Sequence, residues 1–255
     1  MLTFLKGIFI GLGKILPGVS GSLIAINMGL YDKLIKIVSE LKIKQNIAFL
    51  IKIGLGIILG IVFGSKLISF CLDKYYLYTM SVIIGILLSS IIEIIKIEKP
   101  SNKNDYLFII LSFLFIIVLN FLSNNSINTN HNYLLVIILG FIDAVTMIIP
   151  GISGTAIFMI LGAYEFVLTI LGNLLNKYIM FFGIGLLIGI YITTKVVNYI
   201  LERYHKKFYM VILGFTLSSL LIIMKLTYSS FSYDLFITPF FIVFGFIFGL
   251  FFNND

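Results

Sequence analysis

Two stretches of the chain decide its fold: PGVSGSLIAINMGLYDKLI at 17–35 and PGISGTAIFMILGAYEFVL at 150–168. They align without gaps, and seven of their nineteen positions are identical. Glycine, serine and lysine positions continue to match downstream once a four-residue gap is allowed in the following loop. Because self-similarity on this scale is the signature of a duplicated structural unit, we predict two homologous halves, 1–129 and 130–255.

The composition indicates a membrane protein. Of the 255 residues, 60% are hydrophobic and only 11% are charged, which leaves too few polar side chains to cover a soluble globule. Apolar stretches of roughly 20 residues, the length of a helix that crosses a bilayer of about 30 Å, recur along the chain. We therefore predict an all-α polytopic membrane protein. Its membrane-crossing helices are expected at 47–70, 77–97, 105–122, 179–198, 208–225 and 235–252.

The apolar segment before each proline is too short to cross a bilayer. Leu5–Leu16 and Leu139–Ile149 hold twelve and eleven residues, so as helices they reach about half way. Either the helix breaks at Pro-Gly and continues across, or a re-entrant hairpin turns at mid-depth and returns. The distribution of Lys and Arg among the loops favours hairpins, at 4–38 and 134–171, with both termini in the cytoplasm. Three crossings per half then give the second half an inverted orientation.

The two Pro-Gly-x-Ser-Gly loops form the candidate binding site. Proline ends one half-helix, and the glycines permit a positive φ and close backbone approach. The next half-helix begins with unpaired N–H groups and hydroxyls, so two loops that converge at mid-membrane form an anion site. The alternative interpretation is a kink with serine caps. The substrate-binding candidates are Pro17, Gly18, Ser20, Gly21, Ser22, Pro150, Gly151, Ser153, Gly154, Thr155 and the neighbouring Lys14.

Charged side chains in apolar segments are costly and are therefore functional candidates. Asp143 lies in the middle of the half-helix before the second loop, and Asp32 and Glu165 follow the two loops at equivalent positions. These three acids are the candidates for coupling to a proton or a sodium ion. Lys14 needs an anionic partner, which is either a bound anion or Asp143 if the hairpins meet.

Other residue types argue against several classes of function. Cys71 is the single cysteine, so an intramolecular disulfide and a Cys-based metal cluster are excluded. His131 and His205 lie in polar stretches and are interpreted as solvated or interfacial, and we expect no metal site and no cofactor. The net charge of +7 does not indicate nucleic acid, because the bases lie in short loops beside apolar segments. The serines lack a nucleophile–base–orienter set, so we expect no catalytic residue and no enzyme.

The compound pattern of these motifs resembles the bacterial undecaprenyl/polyprenyl-phosphate transporter family over almost the whole chain. The resemblance rests on GIFIGLGKILPGVSGSLIAINMGLYDKLI and GFIDAVTMIIPGISGTAIFMILGAYEFVL, each a glycine, a half-helix, PGxSG and then Gly-x-Tyr-Asp/Glu. It implies a multi-pass protein of the cytoplasmic membrane that returns undecaprenyl phosphate from the outer to the inner leaflet for cell-wall polymer synthesis. Family members usually read PGVSGGT in the first copy. Here Ser22 and Leu23 replace Gly-Thr, and Lys14 takes a position that is often Asn or Asp.

The expected partners are a polyprenyl-phosphate lipid and the surrounding membrane lipids. The alternative function is a small-anion channel or exchanger, since paired half-helix N-termini with Ser and Gly also suit inorganic anions. The sequence leaves open the coupling ion and whether the chain forms a homo-oligomer.

Overall fold

The structure, a computed structural model, describes residues 2–121, 132–154, 157–158, 161–172, 177–229 and 237–251. Its regular structure within these ranges is helical throughout, so the all-α prediction is confirmed. A short 3-10 turn at Lys44–Asn46 precedes the fourth helix. The helices are α1 Leu2–Ile15, α2 Gly21–Asn27, α3 Tyr31–Ser39, α4 Ile47–Lys74, α5 Tyr76–Ile97, α6 Lys103–Phe121, α7 Tyr133–Ile148, α8 Tyr164–Gly172, α9 Tyr178–Ser229 and α10 Thr238–Phe251.

Within the described residues, four helices, α4, α5, α6 and α9, are long and apolar enough to cross a membrane. The apolar part of α9, 50 residues from Tyr178 to Thr227, is about 75 Å long, more than twice the hydrocarbon thickness of about 30 Å. Its backbone departs from helical geometry at Tyr204 (φ −134°, ψ 35°), which divides the helix into two parts of crossing length. α10 has 14 described residues, and the residues that follow it lie outside the described ranges.

The interval between the expected helices at 179–198 and 208–225 is itself helical. It contains neither glycine nor proline, the residues that most readily end a helix. Asn198 donates a hydrogen bond to Glu202, four residues later, at 2.9 Å. The two crossings are therefore joined by a kink at Tyr204 rather than by an open loop.

Each Pro-Gly loop follows a short helix that packs against a long one. α1 lies against α4, and α7 lies against the first part of α9. Glycines bring both pairs into backbone contact: a Cβ on Gly7 would lie 2.5 Å from the Ile53 carbonyl oxygen, and Gly140 faces the backbone of Phe182 in the same way. Small residues at such positions permit the close helix approach typical of membrane proteins.

The centre of the molecule is formed by α5 and the second part of α9. Met80 and Leu87 on α5, and Tyr209 and Met210 on α9, are fully buried. α10 packs on α5, and α6 packs on α9. The outer helices expose large apolar side chains, for example Phe63. The architecture thus surrounds two buried helices with lipid-facing ones and brings the short helices with their Pro-Gly loops inward.

Candidate functional site

Glycine is required in both Pro-Gly loops by the backbone conformation. Gly18 (φ +74°) and Gly151 (φ +83°) lie in the left-handed region, which costs other residues roughly 1–2 kcal/mol. Space is also short, since a Cβ on Gly18 would lie 2.5 Å from the Ile223 side chain, and one on Gly151 would lie 2.7 Å from Phe215. Both loops are therefore pressed against the second part of α9.

The two loops contact each other directly through Ser20. Its hydroxyl accepts a hydrogen bond from the Gly151 N–H at 3.2 Å and one from the Leu23 N–H at 3.2 Å, which caps α2. The Ser22 hydroxyl lies 3.1 Å from that of Ser20. Two hydroxyl groups of the first loop therefore lie next to a backbone N–H group of the second loop.

The remaining loop candidates lie around this contact. Ser20 and Ser22 are buried at 8% exposure each, Pro150 and Gly151 are also buried, and the other described loop candidates are half-buried. Thr155 lies outside the described residues. The half-buried candidates are Pro17, Gly18, Gly21, Ser153 and Gly154.

Lys14 and Asp143 face each other beside the loops. The Lys14 Nζ lies 4.0 Å from Asp143 Oδ2, and the two side chains are 39% and 16% exposed. The same ammonium lies 3.7 Å from the Met147 sulfur. A Cβ on Gly154 would lie 3.7 Å from Asp143 Oδ1, so this carboxylate also adjoins the second loop. Asp143 is thus the anionic neighbour of Lys14 in this structure.

Asp32 lies away from the loops, in a charged cluster at the kink of α9. It accepts a hydrogen bond from the Tyr209 hydroxyl at 3.1 Å and lies 3.8 Å from the His205 Nε2 atom. The Nδ1 atom of His205 lies 2.8 Å from a Glu98 oxygen. His205, whose side chain is 40% exposed, therefore contacts three segments, a role that its interpretation as a solvated or interfacial residue did not include. The side chain of Glu165, the third acid candidate, lies outside the described residues.

A second ion pair adjoins this cluster. Lys206 lies 2.7 Å from Asp105 Oδ2 and donates to the Ser101 hydroxyl at 2.6 Å. Together with Asp32, His205 and Glu98 these residues form what we call the kink junction. In the part of the chain that the structure describes, no three His, Cys, Asp or Glu side chains are grouped to hold a metal ion.

Two serines at matched positions of the sequence repeat bond to a Pro-Gly loop or to the helix that follows one. Ser219 on α9 donates to the Gly151 carbonyl oxygen at 3.2 Å, and Ser90 on α5 accepts from the Asn27 amide at 2.7 Å. Both serines are among the downstream matches of the sequence repeat, for which no role was predicted. Asn27 was missed altogether, although a buried amide in an apolar helix is a signal. Its Oδ1 atom has no hydrogen-bond partner among the described residues.

Tyr31, in the Gly-x-Tyr-Asp motif, makes a further contact between the halves. Its hydroxyl donates to the Ile148 carbonyl oxygen, the last residue of α7, at 3.0 Å. The glycines two residues before this tyrosine and its counterpart, Gly29 (φ +64°) and Gly162 (φ +59°), are both left-handed. The motif therefore turns the chain at a matching point of each half.

Comparison with known proteins identifies a family and named relatives. A family described as undecaprenyl phosphate translocase-like matches residues 10–233. A polyprenyl-phosphate transporter of Vibrio cholerae is 29% identical over 79% of this chain and 70% of its own length. A polyprenyl-phosphate transporter of Staphylococcus aureus is 24% identical over 86% of this chain and 84% of its own. No solved structure matches the chain.

The match confirms the resemblance found from the loop motifs, and with the apolar helices it identifies a multi-pass membrane protein. Its relatives are transporters rather than enzymes, as the sequence predicted. The chain belongs to the undecaprenyl phosphate translocase-like family.

Proposed function

We propose that this protein carries a polyprenyl phosphate, the lipid carrier of cell-wall polymer synthesis, from the outer to the inner leaflet of the bacterial cytoplasmic membrane. Two named relatives are polyprenyl-phosphate transporters, and lipid-carrier transport is the activity that the family description supports. The rival function, a small-anion channel, has no such support.

The observation that carries the proposal is the contact between the two loops. Ser20 and Gly151 hydrogen-bond to each other at 3.2 Å in a buried position between the halves. Both partners are groups that bind phosphate oxygens: a hydroxyl and a backbone N–H. A bound headgroup takes the place of this mutual hydrogen bond, so the loops separate without leaving either group unpaired.

Lys14 gives the site its positive charge. Its ammonium is 39% exposed and lies 4.0 Å from Asp143, a separation at which the pair is loose and exchangeable. We propose that Lys14 pairs with Asp143 in the empty protein and with the phosphate in the loaded one. Asp143 then loses its cation when substrate binds, and it is the group through which a proton or sodium ion enters the cycle.

The proposed movement is a rocking of one half against the other. Repeat-equivalent contacts support it: α1 against α4 corresponds to α7 against the first part of α9, and α5 against α10 corresponds to the second part of α9 against α6. Lys14 also contacts Met147, its own counterpart in the repeat, as residues next to a pseudo-two-fold axis do. Halves related in this way give alternating access to a site on the axis.

Only the headgroup needs a polar path through the protein. The charged phosphate cannot enter hydrocarbon cheaply, whereas the polyprenyl chain is already dissolved in it. A site at the loops that is exposed first to one leaflet and then to the other therefore suffices, and the polyprenyl chain needs no polar path.

Replacement of Ser20 by valine tests the site. Proteoliposomes holding polyprenyl phosphate are assayed for the fraction of headgroup that reaches the opposite leaflet. Ser20→Val and Ser153→Val should lower the rate about 10-fold or more, since a hydrogen bond to a charged group is worth about 1.5–3 kcal/mol. Ser65→Val, on the exposed face of α4, is the matched control. If both loop variants transported lipid at an unchanged rate, the loops would be structural kinks and not the binding site.

Orientation is tested by labelling in a Cys71→Ser background. With both termini cytoplasmic, an impermeant maleimide added outside the cell should modify Asn128→Cys and should spare Lys42→Cys. The opposite pattern would exclude the inverted-repeat arrangement.

A further inference from the structure

A cavity of about 650 Å³ lies beside the first hairpin. Its volume is within the range of about 300–1,000 Å³ that small-molecule sites occupy. Five helices contribute to its walls: α1, α2, α4, α5 and α10. None of the described residues that line it is charged.

The cavity exists because α1 stops short of its neighbour. The two helices run in parallel, with Ile8 against Gly60 and Leu12 against Gly64. α1 ends three residues after Leu12, at Ile15, whereas α4 continues ten residues beyond Gly64, to Lys74. The difference of seven residues leaves a gap about 10 Å long beyond the end of α1, alongside the last part of α4.

Polar side chains in the wall direct their hydrogen bonds into the protein. The Thr79 hydroxyl donates to the carbonyl oxygens of Tyr75 at 2.9 Å and Cys71 at 3.1 Å. The Asn27 amide donates to Ser90. The surface presented to an occupant is consequently apolar. An occupant without polar groups fits it, and an inorganic anion or a metal ion does not.

Two pairs of aromatic rings line the cavity. Phe9 and Phe248 meet edge to face at 5.6 Å, and Tyr78 stacks on Phe241 at 4.8 Å. Phe241 and Phe248 are seven positions apart on α10, so the two pairs lie about 10 Å apart along this helix. We call this aromatic-lined cavity the slot.

We infer that this slot binds the part of the polyprenyl chain next to the phosphate. The inference rests on the proposed function, and it is supported by continuity: Leu16, the residue before Pro17 in the first loop, lines the slot. A phosphate held at the loops thus has an apolar channel beginning at the neighbouring residue. Planar, methyl-branched isoprene units offer flat faces that pack on aromatic rings.

The slot selects the chain rather than strengthening binding. A polyprenyl chain in the bilayer is already in hydrocarbon, so moving it onto the protein yields no hydrophobic gain, and only packing distinguishes one chain from another. The phosphate supplies affinity, and the slot discriminates a branched prenyl chain from a straight acyl chain. Phosphatidic acid, which carries a phosphate on acyl chains, is the informative competitor.

Cys71 is a built-in reporter, since it lines the slot and is the single cysteine of the chain. The experiment measures the rate at which a maleimide modifies Cys71 of the native protein in lipid nanodiscs. Undecaprenyl phosphate at about ten times Kd should slow the reaction about 10-fold, because about a tenth of the protein is then free. Equal amounts of phosphatidic acid or inorganic phosphate should leave the rate of Cys71 modification unchanged.

A second cysteine position controls for general lipid effects. Ser65→Cys in a Cys71→Ser background lies on the same helix but outside the slot, and its labelling should not respond to undecaprenyl phosphate. The Cys71→Trp variant fills the slot with a larger side chain. It should reduce transport of undecaprenyl phosphate more than transport of a prenyl phosphate whose chain is too short to reach position 71.

The outcomes separate the two proposals. If the native protein does not transport undecaprenyl phosphate, the proposed function fails. If it does, but Cys71 is not protected and Cys71→Trp transports normally, the slot is not the chain site and the function stands. Equal protection by phosphatidic acid would overturn the assignment to a prenyl chain.

Discussion

The two ends of the predicted first hairpin, 4–38, are held by different chemistry. At its loop, Ser20 meets Gly151 through one neutral hydrogen bond of 3.2 Å. At its base, Asp32 faces His205, which also lies 2.8 Å from Glu98. The loop end therefore contacts the other half through groups that a phosphate can replace, namely this neutral hydrogen bond and the loose pair of Lys14 with Asp143. The base contacts it through the Asp32 carboxylate.

This difference indicates which end moves. A neutral hydrogen bond contributes about 0.5–1.5 kcal/mol net, and those of charged groups are about twice as strong. A phosphate can replace the contact at the loop, whereas nothing in a lipid substrate replaces the kink junction. We expect the hairpin to turn about its base, so that changes at the loop affect transport and changes at the junction affect stability.

The largest effect is expected for Gly151→Val. This glycine has a left-handed backbone (φ +83°), and a Cβ would lie 2.7 Å from Phe215. Backbone strain of about 1–2 kcal/mol adds to overpacking of about 1–3 kcal/mol. Transport should be lost, and the midpoint of thermal unfolding in detergent should fall.

The matched control for this change is Gly183→Val in the same half. Gly183 lies in α9, and a Cβ there would meet nothing within 4 Å. This variant should keep transport and nearly all of its stability. If Gly151→Val and Gly183→Val had the same transport and stability, the loop would tolerate a side chain, and close backbone approach would not be part of the site.

An intermediate effect is expected for Lys206→Met, which breaks the junction. The variant loses the 2.7 Å pair with Asp105 and the hydrogen bond to Ser101, and it leaves a carboxylate with one partner fewer. The unfolding midpoint should drop by several degrees, while the folded fraction still transports lipid. Both are measured on the same purified preparation.

Lys207→Met removes the same charge from the next position without breaking an ion pair. Lys207 is exposed and lies over the rings of Phe108 and Tyr204, at 5.7 and 5.1 Å. Its loss should change the unfolding midpoint less than the loss of Lys206. If Lys206→Met abolished transport without lowering stability, the kink junction would act in transport, and the division between a moving loop and a fixed junction would be wrong.

Local chemistry explains what the sequence predicted. Proline, glycine and serine at fixed spacing specify a turn with a positive φ and a cap, so the conformations of Gly18 and Gly151 followed from the pattern. The need for a partner to Lys14 followed from the cost of a charge in hydrocarbon, and Asp143 was one of the two partners named.

Tertiary contacts explain what the sequence could not predict. His205 and Glu98 are 107 positions apart, and Tyr209 and Asp32 are 177 apart, with no periodicity that links them. The kink at Tyr204 could not be predicted, because no glycine or proline lies near it in the sequence. The slot beside α1 depends on the register of two helices, which a hydropathy pattern does not fix.

The smallest effect, and one of opposite sign, is expected for Asn27→Leu. Asn27 is 3% exposed, and its Oδ1 atom lacks a partner among the described residues. Removing a buried unpaired acceptor recovers about 1–3 kcal/mol, and losing the bond to Ser90 costs about 0.5–1.5 kcal/mol. Ser90 keeps its own bond to the Ile86 carbonyl oxygen at 2.9 Å, so no new unpaired donor is created. The unfolding midpoint should stay constant or rise slightly, and a marked fall would show that the amide oxygen binds a buried water or a lipid group.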